Sequence, residues 1–170
     1  DLNINFDAIL FMGNTLSHNP ENYRLLIKRA ANSLSPNGVM IFQITNFDKV
    51  LNVNKRLLNF NFAQPADEVI KEYAFVEFYD NPIRDKTILK TFAIFGSDGK
   101  RWKCSGIRNS LMAYTNETKI KTILSHEGFT NIETYGSFFD GKRWDYIFRK
   151  PFKTHESDWL NVVASGKKSS

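Results

Sequence analysis

An apolar run, Phe6-Asp7-Ala8-Ile9-Leu10-Phe11-Met12, is interrupted only by Asp7 and ends at Gly13-Asn14. A strand without polar alternation must be covered on both faces, as a parallel strand inside an α/β layer is. Asn19-Pro20-Glu21 then reads as a helix start, with Asn as N-cap, Pro at the first position and an acid in the first turn. Tyr23, Leu26, Ile27, Ala30, Ala31 and Leu34 follow at helical spacing, so one face of that helix packs on a sheet. Pro36-Asn37-Gly38 stops the helix, and Val39-Met40-Ile41-Phe42 is a second buried strand. Strand, helix, strand in this order predicts a βαβ crossover and parallel pairing.

The middle of the chain changes character. Tyr73 to Tyr79, Thr87 to Phe95 and Arg101 to Tyr114 are rich in aromatic and β-branched residues, and Gly96-Ser97-Asp98-Gly99 separates the last two. This predicts an antiparallel hairpin or three-stranded insert over residues 70–114. Thr115 then caps a helix carrying Ile120, Ile123 and Leu124, which Glu127-Gly128-Phe129 closes into a strand at Asn131 to Tyr135. A last strand, Trp159 to Ala164, precedes a polar tail read as disordered. The expectation is a single α/β domain: a βαβ unit over 1–60, the insert over 70–114, a helix and terminal strands over 115–165, and a tail over 166–170.

Composition removes several kinds of chemistry. Three dispersed histidines and the single Cys104 give no metal-ligand spacing and no disulfide, and a lone thiol suits a reducing cytoplasm. Cys104 has no paired histidine legible in the sequence, and no phosphate-binding loop occurs. No apolar run is long enough to cross a bilayer, and Asp1-Leu2-Asn3-Ile4-Asn5 has neither segment of a targeting peptide, so a soluble cytoplasmic protein is expected. The net charge of +5 brings nucleic acid into consideration, through Lys100, Arg101 and Lys103 around Trp102 and through Lys142, Arg143 and Trp144. A basic hairpin edge that resists strand pairing is the favoured reading, and the basic residues are scattered rather than striped, so a nucleic-acid partner is not expected.

Several segments carry more than a fold class. The run Phe6 to Met12, with Gly13-Asn14 and then Thr15-Leu16-Ser17-His18, resembles the fourth-strand motif of class I S-adenosylmethionine-dependent methyltransferases, in particular small-molecule enzymes related to glycine N-methyltransferase. Leu34-Ser35-Pro36-Asn37-Gly38-Val39-Met40-Ile41 resembles the lead into their fifth strand, and Asn46-Phe47-Asp48 the segment after it. Tyr114-Thr115 through Glu127-Gly128-Phe129, with Tyr135-Gly136-Ser137-Phe138, resembles their helix and sixth strand, and Trp159 to Ala164 their seventh. The resemblance implies a partial Rossmann-like methyltransferase sheet, the fourth to seventh strands with an antiparallel β insert. The N-terminal cofactor-binding half is absent from this expectation: no Gly-rich turn follows any strand, and no acid at a strand end is placed to hold ribose hydroxyls.

The same resemblance implies S-adenosylmethionine as methyl donor, S-adenosylhomocysteine as product, and a small-molecule nitrogen or oxygen acceptor. Displacement at a sulfonium depends mainly on positioning, so few catalytic side chains are expected. Phe11, Met12, Gly13 and His18 are implied as cofactor-binding, and Asn14, Thr45, Asn46, Arg108 and Tyr114 as substrate-facing. The residues themselves leave other readings open. Gly13 also suits the turn after a strand, Asn14 a left-handed conformation, and His18 a helix start. Tyr114 and Trp102 suit either an aromatic wall or packing of the insert. Thr45 stands where glycine-methylating relatives carry an Arg, which weighs against an amino-acid carboxylate as acceptor. A chain entering the fold at this strand leaves residues 6–12 as an apolar edge, so pairing there with the missing N-terminal segment or with a second copy is expected. A non-catalytic scaffold module and RNA methylation are the alternative functions.

Overall fold

In chain order the elements are β1 (Phe6–Phe11), a 3-10 turn (Thr15–His18), α1 (Tyr23–Asn32), β2 (Leu34–Thr45), α2 (Phe47–Asn52), β3 (Leu57–Ala63), β4 (Glu72–Tyr79), β5 (Thr87–Ser97), β6 (Trp102–Ala113), α3 (Glu117–His126), β7 (Phe129–Ser137), β8 (Lys150–Pro151) and β9 (Trp159–Lys167). The structure is a computed structural model that describes residues 4–52, 57–64, 69–83, 86–139 and 148–167. The chain divides into two units, Asp1–Lys49 with Ala113–Ser170, and Val50–Met112.

The first unit is built on a five-stranded sheet in the order β1-β2-β9-β7-β8. β1 lies parallel to β2, with Phe11 opposite Phe42, as the crossover pattern predicts. β9 runs antiparallel to both β2 and β7, so β1, β2 and β7 point the same way and β9 is wedged between two of them. Alternation along the strands sends Met40, Phe42 and Ile44 of β2 and Leu160, Val162 and Ala164 of β9 to one face. Ile27 and Ala31 of α1, with Ile120, Ile123 and Leu124 of α3, cover that face and close the core. Each of the larger side chains among these, Val, Leu, Ile, Phe or Met, contributes roughly 1.5–3 kcal/mol when fully buried. Phe11 stacks on Phe42 at 5.2 Å between ring centroids, with the planes 3° apart.

The outer edge of β1 pairs with nothing among the described residues, and Leu10 is 59% exposed there. A groove of about 450 Å³ runs between this edge and α1, lined by Phe6, Leu10, Leu26, Arg29 and Ala30 among others.

The second unit is an antiparallel four-stranded sheet, β3-β4-β5-β6. It begins at Leu57 rather than near residue 70 and has one strand more than expected, because Leu57–Ala63 forms β3 on the far side of β4. Tyr79 is buried in this unit and donates to Glu77 at 2.9 Å, while Lys90 pairs with the same carboxylate at 2.9 Å. Burial, and then the adjoining Glu77 charge, push the Tyr79 phenol well above its ordinary pKa.

Element boundaries moved where local chemistry competed with pattern. α1 starts at Tyr23, not at Pro20, and its N-cap residue Asn22 makes no side-chain cap bond. Asn19 serves through its carbonyl, which accepts from the N–H of Asn22 at 3.3 Å and of Tyr23 at 2.9 Å. Pro36-Asn37-Gly38 lies inside β2 instead of ending the helix, which stops at Asn32. Phe6 faces Leu34 while Ala8 faces Val39, so the Pro-Asn-Gly segment bulges out of the pairing. A Cβ on Gly38 would lie 3.0 Å from the Phe6 carbonyl oxygen and 3.0 Å from that of Ser35, a tight approach that favours glycine. The cap of α3 is Asn116, which accepts from the Lys119 N–H at 3.0 Å, rather than Thr115. Thr115 is buried, 3.3 Å from the Ser17 hydroxyl. Gly166 and Lys167 extend β9 instead of opening a tail. The remaining tail residues 168–170, and the basic group Lys142, Arg143 and Trp144, lie outside the described residues.

Candidate functional site

The C-terminal tips of β1, β2 and β7 lie at one end of the first sheet, where open α/β sheets form ligand crevices. At the β1 tip, Gly13 and Asn14 follow one another with φ of +61° and +66°, and Asn14 is the one non-glycine residue with positive φ among the described residues. Left-handed geometry costs most L-residues roughly 1–2 kcal/mol but is tolerated by Gly and Asn, which explains the pair. Backbone and side chains lock it to β2. The Asn14 N–H donates to the Gln43 carbonyl at 2.9 Å, the Gly13 N–H to Gln43 Oε1 at 3.1 Å, and the Thr45 N–H to Asn14 Oδ1 at 3.2 Å. The Thr15 hydroxyl closes the turn on the Met12 carbonyl. A Cβ placed on Gly13 would meet nothing within 4 Å, so glycine here serves the backbone angle, and open space lies beside it.

The β2 tip is tied to the loop before β9. Asn46 is buried, and its Nδ2 donates to the carbonyls of Thr154 and Ser157, each at 2.7 Å. Its Oδ1 accepts from the Lys49 N–H at 3.3 Å, so the whole carboxamide is engaged by the protein. Asn46, which the resemblance places toward a substrate, fastens the 154–158 loop through its side chain. Lys49 adds an ion pair to Asp158, whose other carboxylate oxygen accepts from the Phe139 N–H at 2.8 Å. Asn46→Ala is expected to cost about 2 kcal/mol by removing bonds from buried carbonyls, read as a lower urea midpoint at unchanged slope.

Of the other expected site residues, Phe11 is half-buried under the sheet face, while Met12, Gly13 and His18 are exposed. Thr45 is buried beside Asn14. The Tyr114 hydroxyl donates to Asp48, and Lys119 Nζ lies 4.1 Å from the Tyr114 ring centroid. The geometry thus brings Phe11 to Asn14 and Thr45 to Asn46 together at one end of the sheet. Arg108 is an exposed residue of β6, in the second unit. Sequence reasoning missed Gln43 and Asp48. Gln43 left a trace as the polar residue breaking the run Val39-Met40-Ile41-Phe42, whereas Asp48 had none beyond its place after Asn46-Phe47. Among the described residues no cluster of potential metal ligands occurs, and no helix is long and apolar enough to cross a membrane.

No protein-family model matches the chain, and no curated protein matches it. Solved structures do. The CcbJ methyltransferase from Streptomyces caelestis is similar with a TM-score of 0.64 at 15% identity, over 99% of this chain and 60% of that one. An S-adenosylmethionine-dependent methyltransferase from Clostridium acetobutylicum ATCC 824 gives 0.59 at 15% identity, over 99% and 61%. SAM-bound CalS10, an amino pentose methyltransferase from Micromonospora echinaspora, gives 0.57 at 12% identity, over 97% and 60%. The chain therefore spans about three-fifths of the length of the structures it matches. At these identities the likeness is one of architecture: over nearly its whole length, the chain has the α/β fold of S-adenosylmethionine-dependent methyltransferases.

Proposed function

We propose that the chain contributes the fourth to seventh strands of a Rossmann-like, cytoplasmic methyltransferase that moves a methyl group from S-adenosylmethionine to nitrogen or oxygen of a small molecule. The carrying observation is the left-handed Gly13-Asn14 pair at the tip of a parallel strand, locked to β2 and bordered by open space. The absence of a side chain at Gly13 and the exposed Met12 fit a wall along the cofactor's methionine part, with His18 on the following turn. The bound cofactor supplies an electrophilic methyl. The chain's own residues then hold donor and acceptor in line and exclude water. Tyr114, held by Asp48, borders the acceptor side together with Asn14 and Thr45. Similarity to an amino pentose methyltransferase supports a small polar acceptor.

One wall is not a pocket. In this reading a preceding segment adds the Gly-rich turn and pairs along the open edge of β1, covering Leu10. Isothermal calorimetry with S-adenosylmethionine is expected to show no heat of binding for these 170 residues alone and micromolar affinity once the upstream segment is supplied. Micromolar binding by the chain alone would refute the need for that segment, and no binding by either would refute the methyltransferase reading.

A further inference from the structure

The turn at the tip of β1 depends on one side chain that no motif marks. Gln43 of β2 engages two successive amides of the turn, that of Asn14 with its main-chain carbonyl and that of Gly13 with its side-chain Oε1. The first bond belongs to the backbone and survives most substitutions. The second exists only because residue 43 carries an acceptor of the right length. Two consecutive left-handed residues persist when the surroundings over-determine them, and the Gln43 carboxamide is the part of that determination supplied from outside the turn by a side chain.

A second observation shows what this orientation forgoes. Gln43 pairs directly with Asn161 across β2 and β9, which sets the two side chains on one face within reach of each other. Asn161 is fully buried, and its Nδ2 donates to the Ser137 hydroxyl at 2.7 Å, but its Oδ1 has no partner among the described residues. A buried acceptor left unmade lowers stability, and a neighbouring carboxamide N–H is the natural remedy. The Gln43 Oε1 is taken by the Gly13 N–H, and Asn161 Oδ1 beside it accepts from no described residue.

We propose that Gln43 is a positioning residue: its side-chain oxygen sets the direction of the Gly13-Asn14 turn and, on the methyltransferase reading above, the fit of the cofactor against it. Gln43→Met keeps the length and bulk and removes the acceptor, whereas Gln43→Glu keeps an oxygen in place. In the complete protein, amide hydrogen exchange at Gly13 is expected to quicken about tenfold in Gln43→Met and to return to the wild-type rate in Gln43→Glu. Calorimetric affinity for S-adenosylmethionine falls about tenfold in the first and is restored in the second, the change that loss of one hydrogen bond produces. A core substitution of equal stability cost, such as Ile44→Val, moves neither readout. Unchanged Gly13 exchange in Gln43→Met overturns the proposal. So does faster exchange with unaltered affinity in a protein that binds the cofactor. A wild-type protein without cofactor affinity, but with Gly13 exchange that still follows residue 43, refutes the methyltransferase reading and upholds the clamp.

Discussion

A Phe42→Ala protein is expected to lose about 3–5 kcal/mol of unfolding free energy, the usual cost of truncating a fully buried aromatic. Phe42 lies in the C-terminal half of β2, wholly buried, opposite Phe11 on one side and Val162 on the other. Its ring joins the edge strand to the centre of the sheet, and its loss leaves a hole where Phe11 now stacks. Domains of this kind hold about 5–15 kcal/mol in reserve, so the variant sits at or near the threshold of folding. Guanidinium denaturation followed by far-UV circular dichroism measures the loss. Leu25→Ala, on the exposed side of α1 at 44% exposure, is the control and should stay within about 0.5 kcal/mol of wild type. Equal losses in the two variants would mean that the sheet face assigned as core is not the core.

Gly13→Val should separate function from stability in the opposite sense. A β-branched residue at φ of +61° is strained, by roughly 2 kcal/mol or a little more, yet its Cβ would have no atom within 4 Å. The fold therefore survives while the turn relaxes or a branched group projects into the open space. With the proposed cofactor wall at that point, affinity for S-adenosylmethionine should fall at least about a hundredfold, and methyl transfer with it, as expected for misplacement at a positioning site. Gly13→Ala, strained less and smaller, should fall between. Wild-type affinity in Gly13→Val would remove Gly13 from the cofactor surface.

The parallel core of the first unit was legible because buried strands and an amphipathic helix leave strong signals in one sequence. The helical spacing of Ile27 and Ala31 and the run Val39 to Phe42 dictate their elements through burial, whereas Phe6 to Phe11, expected to be covered on both faces, forms its strand with only Ile9 and Phe11 partly buried. Boundaries were less legible, since they depend on bonds rather than on hydrophobic period. Pro36-Asn37-Gly38 has the composition of a helix stop, and only the bulge against Phe6 keeps it within β2. β3 escaped notice although Leu58-Asn59-Phe60-Asn61-Phe62 alternates apolar and polar residues at the period of a strand. At the site, Gly13 and Asn14 were visible as residue types suited to positive φ. The engagement of Asn46 by Thr154 and Ser157 spans more than a hundred residues of chain, and no local pattern encodes it.

The wedging of β9 between β2 and β7 has a consequence for synthesis. Of the two strands it joins, β2 leaves the ribosome long before it and β7 shortly before it, and neither can close the sheet on its own. Until that closing segment emerges, the nascent chain carries unsatisfied apolar strands, a state prone to aggregation and suited to chaperone capture. Pausing translation just ahead of Trp159 should therefore yield a protease-sensitive intermediate, which becomes resistant once the following residues are added.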